Sequence, residues 1–193
     1  AHLLTLSHFM RQIDPRFTLP PAEQAQMQQA LIAFVTGKLQ RTFWSPQQDM
    51  TARKLSAIAA LALDGKATPA LLDSLDIDPV RWPTHSVLDW LTVLEHVQVP
   101  GRAQRQQEAW QILRNRLAYQ GTQVGFSTDA QDHWWWLMPG PDVNAARLLL
   151  ATIGQAEWDA ERPRLVTGLL ARQKSGAWAT TTANLWAGLA LRQ

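Results

Sequence analysis

Asp129, Asp132 and His133 lie in one short stretch, and two carboxylates beside an imidazole are donors a divalent metal accepts. A polar loop whose aspartate caps a helix needs the same residue types. His85 and Asp89 stand one helical turn apart, the spacing at which a carboxylate orients an imidazole or simply satisfies it. Asp129, Asp132, Asp142 and Glu157 can supply the two carboxylates of a glycosidase, and Trp134, Trp135 and Trp136 can stack a sugar ring. No pair among these acids is singled out by spacing. Asp76 and Asp78 in "LDIDP" read as a turn before Pro79 rather than an acid for protonating an alkene. His2, His8 and His96 are scattered. The sequence has neither a nucleophile elbow nor a glycine-rich phosphate loop. It has no cysteine, which removes disulfides, thiolate zinc sites and cysteine nucleophiles. The expectation is a non-catalytic chain: no catalytic, cofactor-binding or metal-ligating residue is assigned, and no cofactor.

The elements that must carry these residues read as helices. Hydrophobic residues make up 46% of the 193 and charged ones 18%, the balance of a globular chain. A formal net charge of +2 gives no case for nucleic acid, and no apolar run is long enough for direct membrane insertion. Arg102, Arg105, Arg114 and Arg116 read as a solvated helix face. Residues 22–39 carry Met27, Ala30, Leu31, Phe34, Val35, Lys38 and Leu39 on one side and Gln24, Gln28 and Gln29 on the other, behind a Pro20-Pro21 start. Residues 102–119 and 163–173 read as further outer helices. By contrast "LSAIAALAL" (55–63), "NAARLLLATI" (144–153) and "ANLWAGLAL" (183–191) are apolar nearly all round, so they are expected to be buried on more than one side. "SVLDWLTVL" (86–94) is a weaker member. No strand pattern runs for long.

Each buried helix follows a residue able to cap it: Thr51, Thr84, Asp142, or the run Thr180 to Thr182. Each entry also follows an aromatic: Phe43-Trp44, Trp82, Trp134 to Trp136, Trp178. Outer helix, aromatic loop, cap and buried helix thus recur about four times, as a degenerate repeat. Antiparallel helix pairs with one buried layer predict an all-α fold: an α/α toroid of the terpenoid cyclase/prenyltransferase type, in one helical domain over residues 1–193. About four pairs are fewer than a full ring. The opening "AHLLTLSHFM" reads as mid-helix without a cap, so the expectation is an incomplete arc, cut from a larger protein, with apolar ends prone to self-association.

The stretch 147–193 carries Pro163-Arg164-Leu165-Val166, Leu170-Ala171-Arg172-Gln173, Gly176-Ala177-Trp178 and Ala183-Asn184-Leu185-Trp186. With these elements it resembles the end of the helical thioester-type domain in bacterial alpha-2-macroglobulin-like proteins. Residues 121–150 fit the segment before it, and "WPTHSVLDWL" (82–91) fits more loosely. The resemblance implies an α/α toroid inside a large multi-domain protein, periplasmic or extracellular, that inhibits or traps proteases. Implied partners are proteases, through the parent protein, and other domains of the same parent chain. The family's covalent chemistry needs a cysteine, which is absent here, and no functional residue of the family carries over. On this reading Trp178 and Trp134 to Trp136 plug loops, and Asn144 and Asn184 are polar anchors. Three consecutive indoles cannot form one flat platform on any regular backbone, so packing is expected, with at most one indole free.

Overall fold

The computed structural model describes residues 1–40, 42 and 44–192. Among them run eight α-helices: α1 (His2–Ile13), α2 (Pro21–Val35), α3 (Met50–Leu63), α4 (Thr84–His96), α5 (Arg102–Asn115), α6 (Pro141–Ala151), α7 (Arg162–Ala171) and α8 (Thr181–Arg192). Short 3-10 turns cover Pro15–Phe17, Pro69–Ser74, Trp135–Leu137 and Ala156–Trp158. The chain is mostly helical, and its only sheet among the described residues is an antiparallel hairpin of β1 (Leu117–Gln120) and β2 (Gln123–Phe126).

That hairpin corrects the helix expected over 102–119, which stops at Asn115. Its pairs are Leu117 with Phe126, Ala118 with Gly125, Tyr119 with Val124 and Gln120 with Gln123. Gly121 opens the two-residue turn at φ +59, a left-handed conformation that glycine adopts without strain. The strands are too short for their alternation to outweigh the helical pattern before them.

The chain divides into two compact units. The first holds residues 1–82 and 89–110. Its core is α3, where Leu55 and Ala57 to Ala62 are all buried, and both α1 and α2 pack on it. The expected all-round burial of 55–63 is met at this helix. On α2, however, Gln28 is buried and Gln24 half-buried, on the side expected to be apolar rather than outward. Asp64, just beyond α3, explains this: its Oδ2 accepts from Gln24 Nε2 at 2.8 Å and Gln28 Nε2 at 2.9 Å. A buried carboxylate demands donors, and the glutamines supply them.

The second unit holds residues 83–88 and 111–193. Here α6 packs against α7 and α8, and α7 lies on β2. Leu165, Gly168 and Leu169 form the inner face of α7, against Val124 and Phe126 of β2, both buried. Gly168 lies flush with the strand, so that a Cβ there would stand 2.1 Å from the Val124 carbonyl oxygen. Arg147 of α6 lies over the Trp186 ring of α8, 5.3 Å from its centroid. The face of α8 through Leu185, Gly188 and Leu191 is exposed, so this helix is one-sided rather than buried all round.

The helix starts also depart from expectation. Only Thr180 caps as proposed, its Oγ1 accepting from Ala183 N at 3.1 Å. Thr51 lies inside α3 behind Asp49, and Asp142 inside α6 behind Gly140. Both helices begin one residue before the expected cap, and at α6 Pro141 suits the first helical position.

Candidate functional site

The stretch richest in chemistry-bearing residues, 127–142, belongs to the second unit and follows β2. Asp132 is its pivot. This buried carboxylate takes the Thr84 hydroxyl and the Thr128 hydroxyl on Oδ2, the latter at 2.6 Å. Its Oδ1 accepts the Thr84 backbone N–H at 3.2 Å. The first turn of α4 is therefore capped from outside its own segment. The Thr84 hydroxyl also accepts from Arg116 Nη1 at 3.1 Å. Burial pushes the Arg116 guanidinium below its ordinary value, and Asp132 acts in the opposite direction. Arg116, expected on a solvated face, thus turns inward. So does Arg114, whose guanidinium lies 4.3 Å from the centroid of buried Trp158 and bonds Glu161 Oε1 at 3.2 Å.

Asp129 and Asp142 converge on one cation. Arg172, at the end of α7, bonds Asp129 Oδ2 and places Nη1 3.6 Å from Asp142 Oδ1. Asp142 Oδ2 accepts the Ala179 N–H at 3.3 Å, so the carboxylate also fastens the loop before α8. His133 is exposed, and no group of three metal-donating side chains occurs among the described residues. Asp129, Asp132 and His133, whose types a metal would accept, are thus divided among an ion pair, a hydroxyl clasp and solvent. Glu157 is exposed, and its carbonyl accepts from Arg114 Nη2 at 2.8 Å. Asp76 and Asp78 both pair with Arg81 in the turn before α4, at 3.7 and 2.5 Å. His85 and Asp89 are both buried on α4.

The tryptophans rise from this base as a ladder. The ring of buried His85 meets Trp134 at 5.3 Å, Trp134 stacks on Trp136 at 5.2 Å and 25°, and Trp135 stands edge-on to Trp136 at 87°. Trp134 and Trp136 are half-buried, whereas Trp135 is 61% exposed. The three rings form no flat platform, and Trp135 alone of the three is exposed. Met138, next to the turn, is also exposed and holds φ +69, a conformation unusual outside glycine.

No protein-family model, curated protein or solved structure matches this chain. Its chemistry therefore has to be read from its own atoms.

The other aromatic entries divide. Trp82 is buried and meets Trp90 edge-on at 6.0 Å, as a plug should. Trp178 is half-buried and donates its Nε1–H to the Leu169 carbonyl at 2.9 Å, satisfying one of the last carbonyls of α7. Trp44 is 73% exposed and plugs nothing, and Phe43 lies outside the described residues. Asn184 anchors the last loop as expected: Oδ1 accepts Trp178 N–H at 3.2 Å, and Nδ2 donates to the Trp178 and Thr180 carbonyls at 2.9 and 2.7 Å. Replacing it with alanine strands the Trp178 N–H and carbonyl, while the Thr180 carbonyl keeps the backbone N–H of residue 184 at 3.0 Å. Asn184→Ala should cost about 1–3 kcal/mol in denaturant unfolding, and an unchanged midpoint would remove the anchoring role. Asn144 is different. It is fully buried in α6, and neither amide atom has a hydrogen-bond partner among the described residues, so it anchors nothing.

Sequence reading missed Trp158 and Thr128. Trp158 lies in an unremarkable "AEWDAE" segment, and Thr128 joins Asp132 to Thr84, which is far away in sequence.

Proposed function

We propose that this chain is a non-catalytic helical domain of an alpha-2-macroglobulin-like bacterial protein, serving protease inhibition or trapping in the periplasm or outside the cell. Within that reading the helices form part of an α/α toroid, and the partners are proteases and other domains of the parent chain. The supporting observation is the use to which the family-like segment puts its polar and aromatic residues. Trp178, Thr180 and Asn184 fasten the entry to α8, and Arg172 ties Asp129 to Asp142. These residues hold helices and loops in register, which is the work of a structural domain. The reading is tested by adding the parent protein to an endopeptidase and following hydrolysis of a protein substrate.

A second reading, carbohydrate recognition by a toroid enzyme, draws on exposed Trp135, whose indole face suits the C–H face of a pyranose. It needs two carboxylates beside that ring. Asp132 is taken by two threonine hydroxyls, and Asp129 and Asp142 by Arg172. The first reading is therefore favoured. Titration with oligosaccharides separates the two: a tryptophan emission change abolished by Trp135→Ala would favour the second.

A further inference from the structure

A hairpin of two strands has two outer edges, and its register tells which backbone groups point outward. Gly121 and Thr122 form a two-residue turn, so Gln120 and Gln123 are the first pair to exchange N–H···O bonds. Such pairs alternate along an antiparallel ladder, which makes Ala118 with Gly125 the next and Arg116 with Ser127 the one after. The Ser127 N–H donates to the Arg116 carbonyl at 2.8 Å, in agreement with this phase. Leu117 and Tyr119 on β1, like Val124 and Phe126 on β2, therefore turn their N–H and C=O groups away from the partner strand.

The two edges have different surroundings. Along β2 lies α7, with Gly168 flush against the Val124 carbonyl, and Val124 and Phe126 are buried. Beyond β1 there is no further strand among the described residues. Tyr119 is exposed, and the outward groups of Leu117 and Tyr119 have no hydrogen-bond partner among the described residues. Natural edge strands are guarded by charged side chains, proline or a bulge. The strand "LAYQ" is uncharged, lacks proline and keeps an unbroken register, so it has none of these guards. The charge beside it belongs to Arg164 of α7, whose guanidinium lies 6.0 Å from the centroid of the Tyr119 ring. Arg164 is exposed and has no acidic partner among the described residues.

We propose that the outer edge of β1 is a docking site for an extended, acidic segment of a partner protein, which adds to the hairpin as a third strand. Leu117 and Tyr119 offer it two N–H and two C=O groups, and main-chain bonds of this kind supply the affinity when a strand is added to a sheet edge. A residue of the added strand opposite Tyr119 projects on the same face as the Tyr119 ring. A carboxylate there meets Arg164. A second copy of this chain fits less well. Antiparallel pairing of β1 with β1 about a two-fold axis brings both Arg164 side chains to one face, where like charges repel.

The probe is a capped peptide of about six residues, threonine and valine in alternation with one central glutamate, added at millimolar concentration while the amide resonances of the protein are followed. The Leu117 and Tyr119 N–H groups should shift and exchange more slowly, while those of Ala118 and Gln120, which face β2, change least. Lysine in place of the glutamate should weaken binding several-fold, and Arg164→Gln should erase that difference. Tyr119→Pro removes an outward N–H without touching the ladder to β2, so it should abolish binding, whereas Tyr119→Thr should retain it. No response at Leu117 and Tyr119, or equal binding of the glutamate and lysine peptides, would overturn the proposal. Protection of the same amides that rises with protein concentration alone is the mark of a second copy and would overturn it too. Should Tyr119→Pro fail to fold, a peptide N-methylated along the edge that faces β1 decides with the unaltered protein: loss of binding is expected, and retained binding contradicts docking at the edge.

Discussion

Gly168→Ala should destabilise the packing of α7 on the hairpin by about 3 kcal/mol, the largest single-methyl effect in the chain. The added carbon would stand 2.1 Å from the Val124 carbonyl oxygen, and 3.0 and 3.1 Å from the carbon and nitrogen of the same residue. All three are backbone atoms, so no side chain can swing aside. The helix must lift from β2, and Leu165, Leu169, Val124 and Phe126 lose contact with it. The intrinsic helix preference for alanine, about 1 kcal/mol over glycine, opposes this loss without matching it. Denaturant unfolding measures the balance, with amide exchange in β2 and α7 locating it. Stability within about 0.5 kcal/mol of the unaltered protein would mean that α7 does not lie so close to the strand.

Asp132→Ala should cost a similar amount, about 3 kcal/mol, for an electrostatic rather than a steric reason. The change leaves the Thr84 N–H and the hydroxyls of Thr84 and Thr128 without their acceptor. It also leaves the desolvated Arg116 guanidinium without its nearby anion. Asp132→Asn keeps an acceptor oxygen and loses the charge, so a smaller loss is expected. The loop of Trp134 to Trp136 begins immediately beyond Asp132, with Trp134 N–H bonded to the Asp132 carbonyl at 2.9 Å. Loosening the clasp should therefore alter tryptophan emission as well as the unfolding midpoint. An asparagine variant as stable as the unaltered protein would show that the charge is immaterial.

These two positions also mark how far the sequence could be read. Helical periodicity locates the helices, because a buried stripe repeats within a window the eye can span. It recovers α3 and α6 as buried helices, and the Trp178–Asn184 anchor is legible because its partners are local. It does not recover contacts that close over long separations. Gln28 looked solvated because its acceptor, Asp64, follows another helix. Arg116 looked solvated because Thr84 and Asp132 come from two other segments. Asp129 and Asp142 looked available for chemistry until Arg172 met both. In each case a polar residue was judged by its neighbours in sequence, whereas burial obliges it to find partners in space. The hairpin was missed for another reason. Four-residue strands carry little alternation, and only the glycine at the first turn position signalled it.

The candidate site follows the same division. Residue types alone offered a metal trio, a glycosidase pair and an aromatic platform. The geometry spends the carboxylates on Arg172 and on two threonines, and leaves Trp135 as the exposed ring. Arg172 hydrogen-bonds Asp129 and stands within ion-pair range of Asp142, a use of arginine that orders loops.

An inhibition assay on the parent protein tests the proposed part in protease inhibition most directly. The protein would be incubated with an endopeptidase, and hydrolysis of casein compared with that of a small chromogenic peptide. A trap that encloses the protease excludes large substrates and still admits small ones. Casein hydrolysis should fall while peptide hydrolysis persists, and Asp132→Ala, by loosening this domain, should weaken the protection. Undiminished casein hydrolysis at excess protein would contradict a protease-inhibiting role.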